Sequence, residues 1–233
     1  MITPKKIIDL FPTVIKNFSK TELAYLSLTS KPEGPIRDKY AILLHEELSN
    51  SIVVVTKEYK RRDLVVLEFI NSDSNKQKPA VKHVIEFKAG SAPSFGNKLD
   101  NSGPYKKGDE YIERIINDIR NRNKEGIDIG LDQFTSVFIG IEAMERISDN
   151  KLHFVKYADR HNRYFKYIEK FGNVDLGTCI KNRFKEKTAG NNSGNKAFKK
   201  LEYKAKEVKE SFEIPVKLHI VAASPNPEAF NDI

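Results

Sequence analysis

The stretch Val84-Ile85-Glu86-Phe87-Lys88-Ala89 decides how this chain is read, because it sets a carboxylate and an amine two positions apart inside an apolar run. Successive side chains on a strand point to opposite faces. Glu86 and Lys88 therefore share one face, about 7 Å apart, while Ile85 and Phe87 take the other. Two ionisable groups beside a hydrophobic face are costly unless they are paired, hydrogen-bonded or holding a metal ion. The stretch reads as a strand that carries a candidate site.

Working upstream, residues 62–69 form a second strand candidate, opening on Asp63 and continuing through Leu64-Val65-Val66-Leu67, and residues 51–56 form a first one around Ile52-Val53-Val54-Val55. The polar segment 71–79 between the second and third suits a hairpin loop, so the three strands read as a meander. Before them, the Pro- and Gly-bearing residues 31–35 read as a loop. Residues 36–50 return to a helical period through Ile36, Tyr40, Leu43, Leu44 and Leu48. At about 100° per residue Glu47 projects into the middle of that stripe, a carboxylate on a face expected to be buried.

Downstream, residues 90–108 are rich in Gly, Ser, Asn and Pro and are too long for a simple connection; such loops are often functional. A helix over 109–123 follows, with Tyr111, Ile112, Ile115, Ile116 and Ile119 on one stripe, and then a nearly continuous apolar strand over 134–141. The rest reads as a packing helix over 4–18 with a kink or break at Pro12, helices near 160–171 and 179–187, a flexible loop at 188–195, a basic helix over 196–210 and a final strand over 216–222. The order is helix, strand, strand, strand, helix, strand, with additional C-terminal helices. The expected fold class is α/β with a mixed central sheet flanked by helices.

The chain has 233 residues, 39% of them hydrophobic, which is enough for one domain with a substantial core. No run approaches the roughly 18 apolar residues of a membrane helix, and no apolar block follows the N-terminus, so a soluble, cytoplasmic protein with no membrane partner is expected. One cysteine, Cys179, excludes an internal disulfide and a Cys-rich metal centre. Any metal must use oxygen and nitrogen ligands. The net charge is +8. Most of it falls in residues 176–210, where ten Lys and Arg face four Glu. A polyanionic partner is compatible with this, as is a solvated helix face.

Glu47 on a helix face, Asp63 at a strand start and Glu86-Phe87-Lys88 on the next strand together resemble the PD-(D/E)XK nuclease superfamily, the fold shared by many restriction endonucleases and repair nucleases. Asp63 matches the aspartate and Glu86-Phe87-Lys88 the E-x-K element, while Arg62 stands where the family has proline. The resemblance covers residues 36–142 and implies a restriction-endonuclease-like core, with 143–233 as a C-terminal elaboration of the same single domain. It also implies phosphodiester hydrolysis with Mg²⁺, or Mn²⁺ in its place. Asp63 and Glu86 would be direct ligands, the Phe87 carbonyl would add an oxygen, and Glu47 would bind through water or complete a second site. Lys88 would orient or deprotonate the attacking water and stabilise charge on the phosphate.

The implied partner is DNA, with RNA as the alternative, and the implied role is a restriction or defence endonuclease. Since one site cuts one strand, duplex cleavage points to a homodimer. Lys106, Lys107 and Arg114, with Arg120 and Arg122, lie on or before the helix that in the superfamily often contacts phosphate. Lys181, Arg183, Lys185, Lys196, Lys199 and Lys200 gain the same reading from the basic C-terminal region. The competing reading is a catalytically inactive nucleic-acid-binding or structural protein with this fold. Asp73 is a weaker candidate for the aspartate because it sits in turn-forming sequence, Glu68 has the opposite strand parity, and none of the histidines has ligand spacing. Arg160-His161-Asn162-Arg163 bears a passing similarity to an HNH nuclease whose supporting residues are missing.

Overall fold

In the computed structural model, which describes residues 2–19, 21–48, 53–70, 78–96, 106–123, 127, 129–172, 174–188 and 197–230, the Thr3 side chain caps helix α1 (Pro4–Lys16) by accepting the Lys6 N–H. Pro4 occupies the first helical position, where its missing N–H has no intrahelical partner to lose. The helix continues through Pro12 instead of breaking there. A short helix, α2 (Glu22–Thr29), follows, and then α3 (Glu33–Leu48). Residues 33–35 of the loop expected over 31–35 are in fact the start of α3, because Pro35 falls in the first turn and so costs no hydrogen bond.

The sheet comprises β1 (Val53–Lys57), β2 (Leu64–Ile70), β3 (Lys78–Ser91), β4 (Phe134–Ala143), β5 (Phe198–Ser211) and β6 (Ile214–Pro225), in the spatial order β1-β2-β3-β4-β6-β5. Strands β1 to β3 form the antiparallel meander. Helix α4 (Lys106–Arg120) carries the chain over to β4, which pairs parallel to β3. Helices α5 (Ala158–Phe171) and α6 (Leu176–Thr188) precede the β5–β6 hairpin, whose β6 strand lies antiparallel to β4. The molecule is thus α/β, a mixed sheet flanked by helices.

The segment read as a basic helix over 196–210 is β5, an edge strand. Its Leu201, Tyr203 and Ala205 alternate with Lys200, Glu202 and Lys204, a period of two that sheet pairing selects over the helix-favouring composition. The C-terminal third therefore supplies two of the six strands found among the described residues. Phe212 and Glu213, both left-handed at φ 55 and 60, make the two-residue hairpin turn. Lys151 Nζ ties that turn down, donating to the Phe212 carbonyl (2.5 Å) and pairing with Glu213 (2.8 Å).

Two apolar layers flank the sheet. One joins Phe11, Tyr40 and Leu44 of α1 and α3 to Ile85, Phe87, Ile139 and Ile220. The other joins Ile112 and Ile115 of α4 and Phe184 of α6 to Val65, Phe138 and Val221. Three histidines are structural. His83 meets Thr135 Oγ1 at 2.9 Å, His161 Nδ1 accepts the Ala143 N–H (3.2 Å), and His219 lies between the Tyr203 hydroxyl (2.8 Å) and Glu142 (2.7 Å). No helix among the described residues is long and apolar enough to cross a membrane.

Candidate active site

The site arises from a mismatch in strand length. The last β2–β3 pair is Leu64 with Ile85, yet β3 continues to Ser91 while pairing with β4 on its other side. Amides of β3 beyond residue 85 that face the missing β2 must find other acceptors. Two carboxylates take them: the Phe87 N–H donates to Asp63 Oδ2 (2.7 Å) and the Ala89 N–H to Glu33 Oε2 (2.7 Å). Because a strand residue presents its N–H and C=O to the same side, the Phe87 carbonyl faces this open edge as well.

Asp63 precedes β2 by one residue and so lies beside Glu86, close enough for the two carboxyls to share a hydrogen bond. Glu86 is buried; that burial, and next the Asp63 charge, push its carboxyl up to about 8. Arg62 Nη1 donates to Glu86 Oε1 (3.2 Å), and Nη2 closes the C-terminal end of α4 through the carbonyls of Asn121 (2.5 Å) and Arg122 (2.7 Å). The family's proline could do neither. Arg37 of α3 approaches Asp63 Oδ1 at 3.5 Å and Glu58 Oε1 at 3.2 Å. Glu58, Lys60 and Arg61, in the turn that delivers Asp63, are all left-handed non-glycine residues. Backbone of that kind costs about 1 kcal/mol or more per residue and is concentrated at functional sites.

Lys88 shares the Glu86 face and its amine lies 3.0 Å from Asp118 Oδ2 on α4. Burial pulls that amine down, but the Asp118 carboxylate together with the Glu86 and Asp63 charges outweighs it and the net shift is upward. Ser136, opposite Glu86 in the β3–β4 register, is buried on this face, and its hydroxyl has no partner among the described residues.

The structure thus brings together Asp63, Glu86, the Phe87 carbonyl and Lys88. It does not bring Glu47 to them. Glu47 is exposed and paired with Lys6 at 2.5 Å. Glu33 and Glu47 project from the same side of α3, but 14 residues separate them, about 21 Å of helix. Glu33 in the first turn reaches the Ala89 N–H of β3, whereas Glu47 near the other end of α3 pairs with Lys6 of α1. Glu33 and Asp118 are the carboxylates that sequence reasoning missed. Glu33 had a legible signal, since it lies three and seven residues before Ile36 and Tyr40 on one helix face, and Asp118 lies three residues after Ile115 at the border of the α4 stripe.

Of the basic residues, Arg114 is exposed on α4, while Lys106 and Lys107 begin that helix with side chains outside the described residues, as is Lys196. Lys181 lies 5.0 Å over the Tyr203 ring, Arg183 pairs with Glu186 (2.9 Å) and Asp109 (3.8 Å), Lys185 is exposed on α6, and Lys199 and Lys200 are exposed on β5. Asp73 and residues 97–105 of the loop expected over 90–108 fall outside the described residues, while 90–91 belong to β3 and 106–108 to α4; Glu68 pairs with Lys82 at 2.5 Å.

Among the described residues no three His, Cys, Asp or Glu side chains converge as a ready metal cage. Comparisons with protein-family models, with curated proteins and with solved structures each find no match.

Proposed function

We propose that this chain is a Mg²⁺-dependent nuclease with a restriction-endonuclease-like core, acting on DNA as an endonuclease of restriction or defence type. One observation carries the reading: where β3 outruns β2, Asp63, Glu86, the Phe87 carbonyl and Lys88 meet at one open strand edge. The order of helix, antiparallel meander, helix and a strand parallel to the third supports the same core.

The residues present fit a hydrated magnesium ion. That ion typically takes one or two carboxylates and keeps several waters, so two carboxyls, one carbonyl and no complete cage is a suitable donor set. Glu86, raised first by burial and next by the Asp63 charge beside it, is a carboxyl that a cation would help to ionise, and the unpartnered Ser136 hydroxyl beside it suits a bound water. When bound, the ion would neutralise charge on the phosphate and acidify the attacking water. Asp63 and Glu86 hold it, and Arg37 and the Phe87 N–H fix the Asp63 carboxylate in place. Lys88, whose amine lies 3.0 Å from Asp118 Oδ2, is placed to orient the water and to steady a phosphate oxygen.

One observation favours a second reading, a nucleic-acid-binding protein of the same fold without catalysis: Arg62 already supplies a cation to Glu86. Supercoiled plasmid incubated with the protein and Mg²⁺ or Mn²⁺ separates the two. Cleavage by the wild type that falls at least 100-fold in Asp63→Ala and in Lys88→Ala is expected. No cleavage by the wild type, or cleavage at the wild-type rate by both variants, would reject the site.

A further inference from the structure

A polar groove along α5 is not used by the site above. It consists of two adjoining cavities of about 330 and 360 Å³ that share Leu152, Asp159 and Arg163. Tyr157 and Arg160 bound the first, Arg146 and Lys166 the second. The Tyr157 end lies near Tyr111 and the Glu33 carboxylate, toward the C-terminal end of β3. Its hydroxyl shares a hydrogen bond with Tyr111 and feels the charge of Glu33, the carboxylate that accepts the Ala89 N–H. Arg160 Nη1 donates to the Tyr111 hydroxyl (3.1 Å) and to Ser94 Oγ (3.4 Å).

The cations of the groove are held in place. Arg160 lies 5.1 Å from the Tyr157 ring centroid, and Arg163 Nε donates to the Asp159 carbonyl (3.2 Å). Asn162 grips both backbone groups of Ile147, at 2.8 and 2.7 Å, which fixes neighbouring Arg146 over the same groove. Arg146, Arg160, Arg163 and Lys166 face two carboxylates, Asp149 and Asp159, so the lining favours an anion. From Tyr157 to Lys166 the helix covers about 14 Å. That equals the axial rise of about four nucleotides of one B-form strand. Tyr157 adds an aromatic face at the inner end, of the kind on which bases stack.

We propose that this groove is the phosphate track for the nucleic-acid strand whose scissile bond lies at Asp63 and Glu86, an assignment that rests on the nuclease reading. The chemistry of Arg160-His161-Asn162-Arg163 is then divided: the two arginines meet the ligand, and His161 and Asn162 secure the connection from β4.

The test is fluorescence anisotropy with labelled single-stranded and duplex DNA, in EDTA, between 50 and 200 mM KCl, using the wild type, Arg163→Ala/Lys166→Ala and Lys166→Glu. Binding by the double variant is expected to be about tenfold weaker at 50 mM salt, and the slope of log K against log salt to fall by about two, with an unchanged melting temperature. Wild-type affinity and slope in the double variant would overturn the proposal, as would equal displacement of DNA by polyglutamate at the same charge concentration. A wild type that shows this salt dependence but cuts no plasmid in Mg²⁺ would reject the nuclease reading and leave the groove as a nucleic-acid contact. A wild type that cuts while the double variant binds unchanged would reject the groove alone.

Discussion

Arg62 sets the charge balance of the site, since one guanidinium both pairs with the buried Glu86 carboxyl and closes the end of α4. With its pairing partner fixed in this way, Glu86 is held at the strand edge whether or not a cation is present. The neighbouring carboxylates divide by position. Glu33→Ala strips the acceptor from the Ala89 N–H and is expected to lower plasmid cleavage about 10- to 100-fold. Glu47→Ala only frees Lys6 at the surface and is expected to leave the rate unchanged. Parallel rate measurements on the two variants check this.

Stability should follow pH through three buried groups. Burial first, and nearby positive charge second, lower His83 to about 4 and His161 to about 3, against 6.5 in the unfolded chain. Their contribution is complete above pH 6.5 and is lost on acidification below it, because the unfolded state then binds more protons. Glu86 works in the opposite direction. Raised from 4.5 to about 8, it binds a proton in the fold that the unfolded chain has released, so its contribution declines as pH rises from 4.5 to 8. Without divalent metal, urea melts should show a maximum near pH 6.5, and Glu86→Gln should flatten the alkaline decline and steepen the acid limb above pH 4.5, where Glu86 opposes the two histidines.

At the scale of elements, the β5–β6 hairpin stores strain at its turn. Glu213 is left-handed in the position where such turns favour glycine, and its ion pair with Lys151 is largely exposed. Glu213→Gly should raise the unfolding free energy by about 0.5–1 kcal/mol, measured by denaturant titration, because relief of the left-handed backbone exceeds the added entropy of the unfolded glycine. Phe212 should stay in place, since its ring packs on Phe154 at 4.7 Å and on Tyr25 at 5.7 Å.

The same hairpin shows why part of the fold was illegible in the sequence. Lys and Glu dominate β5 and favour a helix in isolation, and only pairing with β6 makes the alternation of Leu201, Tyr203 and Ala205 decisive. The meander and β4 could be read directly, because their apolar runs are short, β-branched and bounded by polar turns. In the site, Asp63, Glu86 and Lys88 were legible because strand parity is a local property. Glu33 was displaced in that reading by Glu47 because periodicity gives the face of a helix but not which end of it reaches the sheet. Arg62 and Asp118 act through partners 24 and 30 residues away, which no local pattern records.

For the whole molecule, one sheet carries both functional elements proposed here: the open edge of β3, and the groove that α5 lines after β4. The central claim is that the open edge takes a divalent cation on Asp63 and Glu86. Calorimetric titration of Mn²⁺ into the wild type and into Asp63→Ala addresses it most directly. Saturable uptake by the wild type, weakened at least tenfold in Asp63→Ala, is the expected result; no uptake by the wild type, or equal uptake by the variant, would contradict it.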